Sequence, residues 1–243
     1  VKLLTEPSAT KNGFFDSLMP AFAGILFWGG VFVKWIRDPV SCLTHLGGAV
    51  LSVIGMAFLL LSADGKAQFI TFFIYGLSLI LLFSASTAYH MIPERFTRTV
   101  SILRKVDHSM IFVLIAGSYT PILYTCFLDN IPLFWAWILP MWIIVCLGIF
   151  LKIFLVGRFR WLSTLLYLAL GWYAIFIIKP LVAAFSVSVL VWMLAGGIAY
   201  TTGAVMYALK KPRMLECFGF HDLFHIFVMV GAACHFVMIF VYC

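Results

Sequence analysis

The chain has 243 residues, 64% of them hydrophobic and only 10% charged, with a mean hydropathy of +1.11. Soluble domains carry roughly 25% charged residues, so this composition excludes a water-soluble globule and defines a polytopic membrane protein. The net charge of +7 does not indicate nucleic acid as a partner. The bases are dispersed in short stretches between apolar segments, which reports membrane orientation instead.

In chain order, residues 1–38 read as an N-terminal cytoplasmic or interfacial segment. Within it, 18–33 (LMPAFAGILFWGGVFV) is apolar, but Lys34 and Arg37 follow where a signal peptide would place small residues. An interfacial or re-entrant stretch is expected there rather than an additional span. Residues 39–243 form a seven-transmembrane domain, with apolar segments at 43–63, 67–90, 107–127, 131–152, 160–178, 181–209 and 220–242. Each can cross about 30 Å of hydrocarbon as a helix. Strands would leave backbone groups unsatisfied in lipid, so the predicted fold class is all-α, a seven-helix bundle. Pro121 and Pro140 fall within spans and are expected to kink them or loosen their hydrogen bonds. The six cysteines lack CxxC pairing and fit neither a disulfide framework nor a zinc finger.

Lysine and arginine fix the predicted orientation. With a cytoplasmic amino terminus, 14 of the 16 bases fall on the cytoplasmic side, leaving Lys66 and Lys179 opposite and the carboxyl terminus outside. His90 then ends the second helix, Asp107 begins the third, and His221 and His225 begin the seventh, all on the cytoplasmic face. Ionisable groups in or against a bilayer are costly and mark binding or chemistry.

His221 and His225 in FHDLFHIF are four apart and share a helix face, as do Ser86 and His90 in SASTAYH. Three imidazoles leave a fourth tetrahedral position open, the pattern of catalytic rather than structural zinc. Asp107 would serve as general base or hold the water, and Ser86 would hydrogen-bond a ligand or a substrate carbonyl. The alternative is an interfacial polar network with Asp107 paired to a loop arginine such as Arg104. For His45, near the same helix end, a supporting role and a plain interfacial position are both open. His108 points about 100° from Asp107 and is expected to be structural. His235, ten residues past His225 and about 15 Å along the axis, is out of reach of the same ion. Asp222 lies off the histidine face and suits the positive helix terminus. Tyr119 and Thr120 are expected to hydrogen-bond across the bundle.

At SASTAYHMIP (84–93), KVDHSMIFVLIAGSYTPIL (105–123), LSTLLYLALGW (162–172), KPLVAA (179–184), HDLFHIFVMVGAACHF (221–236) and THLGG (44–48), the chain resembles the hemolysin III family. That family is the bacterial branch of the progestin and adipoQ receptor superfamily. The resemblance implies a zinc ion near the cytoplasmic side, held by His90, His221 and His225. It also implies that Asp107 contacts the zinc-bound water, with Ser86 close by, in a multi-pass protein of a bacterial inner membrane. The superfamily includes adiponectin receptors and alkaline ceramidases, implying hydrolysis of a ceramide-like lipid amide, with membrane lipids as partners. Two departures stand out. Asp222, Leu223 and Phe224 separate the last two histidines where relatives often carry HxxWH. Asp38 and Ser41 stand where relatives commonly show Glu and Asn, leaving their roles open. The competing expectation is a non-enzymatic pore-former, or a lipid-sensing or receptor-like protein with structural zinc.

Overall fold

The computed structural model describes residues 36–155, 160–212 and 219–243. The apolar 18–33 stretch falls outside the described residues, as do Arg158 and Arg213. The elements are α1 (Pro39–Ser62), α2 (Lys66–Met91), α3 (Thr97–Cys126), α4 (Ile131–Leu155), α5 (Arg160–Gly171), a 3-10 segment (Trp172–Ile177), α6 (Ile178–Ala184), α7 (Val187–Leu209) and α8 (Phe220–Tyr242). No strand occurs among the described residues. Among the described residues, seven helical spans are long and apolar enough to cross a membrane; α5, the 3-10 segment and α6 together supply one of them. The protein is a multi-pass, all-α integral membrane protein.

Two boundaries differ from those read in the sequence. The third helix begins at Thr97, not near Asp107. Residues 97–106 are charged but contain neither glycine nor proline, and their leucine, arginine and lysine are good helix formers, so the helix continues beyond its apolar part. The loop after α2 shrinks accordingly. It is opened by Ile92, held extended (φ −71°, ψ 126°) ahead of Pro93. The fifth span runs to Ala184, past the expected break near residue 179. Pro180 is the third residue of α6, where the backbone N–H has no intrahelical partner in any case, so the proline is accommodated. Lys179 therefore lies in a helix rather than a loop.

Sequence neighbours pack side by side from α1 to α4, α5 meets α7, and α8 packs on both α7 and α1 to close the bundle. α3 is the most enclosed span and touches α2, α4, α5, α6 and α8. Leu61, Phe176 and Val187 are 85%, 73% and 76% exposed, so the outer surface is the apolar one, as lipid requires. Polar residues turn inward. The hydroxyls of Ser52, Ser78, Thr87 and Thr120 donate to carbonyls of their own helices (Gly48, Tyr75, Phe83 and Ala116), which satisfies them without a neighbour. Gly117 lets α3 approach α2 closely: a Cβ there would collide with the Ser78 side chain.

Pro121 and Pro140 lie inside α3 and α4, which continue through them. Beside Pro121, Tyr119 does bond across the bundle. Its hydroxyl donates to the Gly171 carbonyl and accepts from the Ala174 N–H, both at 2.8 Å, holding the junction where α5 gives way to the 3-10 segment. Thr120 bonds only within its own helix among the described contacts.

Candidate metal centre

The amino end of α1, the carboxyl end of α2, the first part of α3 and the amino end of α8 meet at one end of the bundle. His90 lies in the last turn of α2, while His221 and His225 occupy successive turns at the start of α8. Their ε nitrogens converge: His221 Nε2 is 3.4 Å from His90 Nε2 and 3.2 Å from His225 Nε2. One ring nitrogen from each histidine falls within 4.8 Å of the others, so the group could hold a metal ion. Donors about 2.05 Å from one tetrahedral ion would stand about 3.3 Å apart, and the observed spacings fit that edge. His90 and His225 are buried, at 1% and 2% exposure, and His221 is partly open.

The surrounding groups settle which ring nitrogens face inward. His90 Nδ1 lies 2.7 Å from Asp38 Oδ2. A carboxylate only accepts, so His90 carries its proton on Nδ1 and turns the Nε2 lone pair toward the other histidines. Arg37 Nε donates to the same oxygen at 2.8 Å, and its guanidinium lies 4.2 Å over the Tyr89 ring. Burial pushes the Asp38 carboxyl up, but its hydrogen bonds with His90 and Arg37 outweigh this and hold it at about 2. His45 is buried against His225, with its Nε2 2.8 Å from His225 Nδ1 and the ring centroids 4.0 Å apart. Of the two roles open to His45, the supporting one matches this contact.

Asp222 fastens the helix that carries two of the histidines. Its carboxylate accepts the Gly219 N–H at 3.0 Å, capping α8, and the Ser41 hydroxyl at 2.8 Å, tying α8 to α1. Asp38 and Ser41, whose roles the sequence left open, thus both have partners here. Asp38 holds His90, and Ser41 holds Asp222.

An apolar cavity of about 150 Å³ is lined in part by His221 and His225. Asp107 and Ser86 line it beside them, and its walls include Leu82, Ile111, Leu114, Ile115, Leu168 and Val228. It continues to Trp172 and His235, roughly 15 Å farther along α8. Asp107, ten residues into α3, pairs with His108 Nδ1 at 3.4 Å rather than with Arg104. Ser86 is 1% exposed, and its hydroxyl has no hydrogen-bond partner among the described residues. That is an uncommon condition for a buried polar atom and suits a group awaiting a ligand. His108 bonds the Arg104 carbonyl at 2.8 Å, and His235 bonds the Met193 carbonyl at 3.2 Å, away from the histidine cluster.

Of the residues singled out in the sequence, Ser86, Asp107, His221 and His225 line the cavity, while His90 meets His221 without lining it. Sequence reasoning alone stops short of the supporting contacts. It missed Asp38 as a partner of His90. The available signal was topological: Asp38 precedes Pro39 at a helix start, on the face where α2 ends. It also counted Lys152 with the loop bases, whereas Lys152 lies within α4, 5% exposed, and lines the cavity.

Fold and site together define a multi-pass integral membrane protein with seven apolar spans among its described residues and a three-histidine cluster beside an apolar cavity. Residues 33–236 match the family model described as Haemolysin-III related, and the chain belongs to that family. It is 37% identical to the "Hemolysin-3 homolog" of Bacillus subtilis (strain 168) over 210 residues, covering 85% of this chain and 94% of the relative. Identity to the "Hemolysin-3" of Bacillus cereus is 35% over 214 residues, covering 87% and 93%. A more distant relative, the "ADIPOR-like receptor IZH2" of Saccharomyces cerevisiae, is 29% identical over 170 residues, covering 62% of this chain and 52% of its own length. It connects the chain to the progestin and adipoQ receptor superfamily.

Proposed function

We propose that the protein is a zinc-dependent hydrolase of lipid amides of the ceramide type, with its site near the cytoplasmic face. The observation that carries this reading is the convergence of three imidazole ε nitrogens next to an apolar cavity that Asp107 and the Ser86 hydroxyl, unpartnered among the described residues, also line. His90, His221 and His225 would hold the ion, with Asp38 and His45 fixing the rings of His90 and His225. Zinc bound there would supply Lewis acidity, polarising an amide carbonyl and making hydroxide available near neutral pH. Zinc itself is inferred from the all-imidazole donor set, which other divalent ions also accept.

The chain's own residues do the rest. The cavity takes the acyl chain and keeps bulk water from it. Ser86 donates its hydroxyl proton to the carbonyl oxygen of the scissile amide. Asp107 accepts a proton from the attacking water and returns it to the leaving nitrogen, so the products are a fatty acid and an amine. The asymmetric distribution of bases supports the cytoplasmic placement.

The test is elemental analysis of protein purified without chelator, beside a His221→Ala/His225→Ala variant, followed by assays of fatty-acid release from ceramide. One zinc per chain, absent from the variant, with release that needs Asp107, is the expected result. Metal-free native protein that releases no fatty acid would overturn the reading in favour of a non-enzymatic membrane protein.

A further inference from the structure

We propose that Lys152, Ser163 and Thr164 form an oxyanion subsite in the cavity wall, selecting lipid amides whose amine half carries a carboxylate or phosphate. This rests on the lipid-amide reading above and names the substrate class within it.

Lysines near the ends of membrane helices ordinarily extend their stems to reach water. Lys152 does not: it is 5% exposed, and its ammonium donates to Ser163 Oγ at 3.1 Å. Placing an ammonium away from water is costly and is retained where the charge is used. Lys152, Ser163 and Thr164 line the same cavity as Asp107, His221 and His225. Their level in the bundle is set by Tyr167, whose hydroxyl donates to the His108 carbonyl at 2.9 Å. Ser163 is one helical turn from Tyr167, and His108 adjoins Asp107 in the chain, so the hydroxyls sit close to the depth of the carboxylate.

The cavity therefore joins three chemistries: an amide-facing cluster of imidazole, carboxylate and hydroxyl; a cation flanked by two hydroxyls; and apolar walls. An N-acyl amino acid carries the matching groups, with its carboxylate two bonds from the amide nitrogen. Asp107 alone would repel such an anion, and Lys152 reverses that balance with charge-assisted hydrogen bonds. Hydrolysis breaks the acyl C–N bond. The oxygen of water goes to the acyl carbon and a proton to the nitrogen, leaving a fatty acid and the free amino acid or amino phosphate.

The test is equilibrium binding to the full-length native protein in detergent, followed by tryptophan fluorescence, since Trp172 lines the cavity. Three probes are used: N-oleoylglycine, the phosphate ester of N-oleoylethanolamine, and neutral N-oleoylethanolamine. At least one anionic probe is expected to bind about tenfold tighter than the neutral one; which one does so identifies carboxylate or phosphate as the recognised group. Lys152→Met should abolish the preference with neutral binding unchanged, and Lys152→Arg should restore it. Ser163→Ala, which keeps the charge, should reduce it partially, and it tests the subsite should Lys152→Met fail to fold. Equal affinities of the native protein for all three probes would overturn the proposal, as would a preference that survives in Lys152→Met. Binding preference without release of oleate from any probe would leave the subsite standing and overturn only the hydrolase reading.

Discussion

Asp38 Oδ2 lies 2.7 Å from His90 Nδ1, so a carboxylate just ahead of the first span sets the proton position of an imidazole at the end of the second. The pair joins two segments 52 residues apart and orients the His90 lone pair into the cluster.

Removing that acceptor frees the ring to rotate and to exchange tautomers. Asp38→Asn is expected to weaken metal retention by about 10–100-fold, the range for loss of a carboxylate behind a histidine ligand. Competition with a graded series of chelators measures it; unchanged retention would mean the carboxylate does not orient the ring.

The same carboxylate carries a pH signature. Its folded value, about 2, is below its ordinary 3.8. The stabilisation it provides is therefore complete above about pH 4 and is lost as pH falls through about 2. The difference in thermal midpoint between native protein and Asp38→Asn should be flat at higher pH and should close below about pH 4. A difference that grows on acidification would contradict the sign.

Ser86 separates stability from function. Its buried, unpartnered hydroxyl is a cost to the fold, so Ser86→Ala should leave the thermal midpoint unchanged or raise it, a gain of up to about 1 kcal/mol. Fatty-acid release should fall in the same variant. A destabilised protein would mean the hydroxyl has a structural partner.

Tyr119→Phe removes one hydroxyl but leaves two backbone groups, the Gly171 carbonyl and the Ala174 N–H, without their partner. The expected loss is about 1–3 kcal/mol, read by unfolding in mixed micelles. A change near zero would mean that other groups take over both bonds.

Gly117→Ala tests the approach of α3 to α2. The added methyl meets the short Ser78 side chain, which has no flexible end to swing away, so the helices must part. A loss of about 1–3 kcal/mol is expected from overpacking, and the double variant with Ser78→Gly should recover part of it.

Much of this arrangement is legible in the sequence because lipid narrows the choices. Apolar length alone counts the spans, and four-residue spacings place His221 with His225 and Ser86 with His90. Parity of crossings brings the ends of α2 and α8 to one face. What escapes is whatever hydropathy does not record. The start of α3 at Thr97 lies in a charged stretch that is helical by propensity rather than by apolarity. Pro180 reads as an interruption but sits where a helix tolerates it. Lys152 counts as a loop base until the packing of α4 against α5 turns it inward. Asp38 and Ser41 look like departures from a family pattern, and their partners, His90 and Asp222, are visible only once α1, α2 and α8 are packed together.

The contact between α1 and α8 closes the bundle through its first and last described spans, and Ser41 with Asp222 fastens that seam. A chain without α8 in place offers only His90 of the three imidazoles, too few to retain an ion. On the proposed metal reading, loading of the site would report that α1, α2 and α8 have come together. A protein that held an ion at the proposed site would already have placed α8, and one without α8 in place would stay empty and distinguishable.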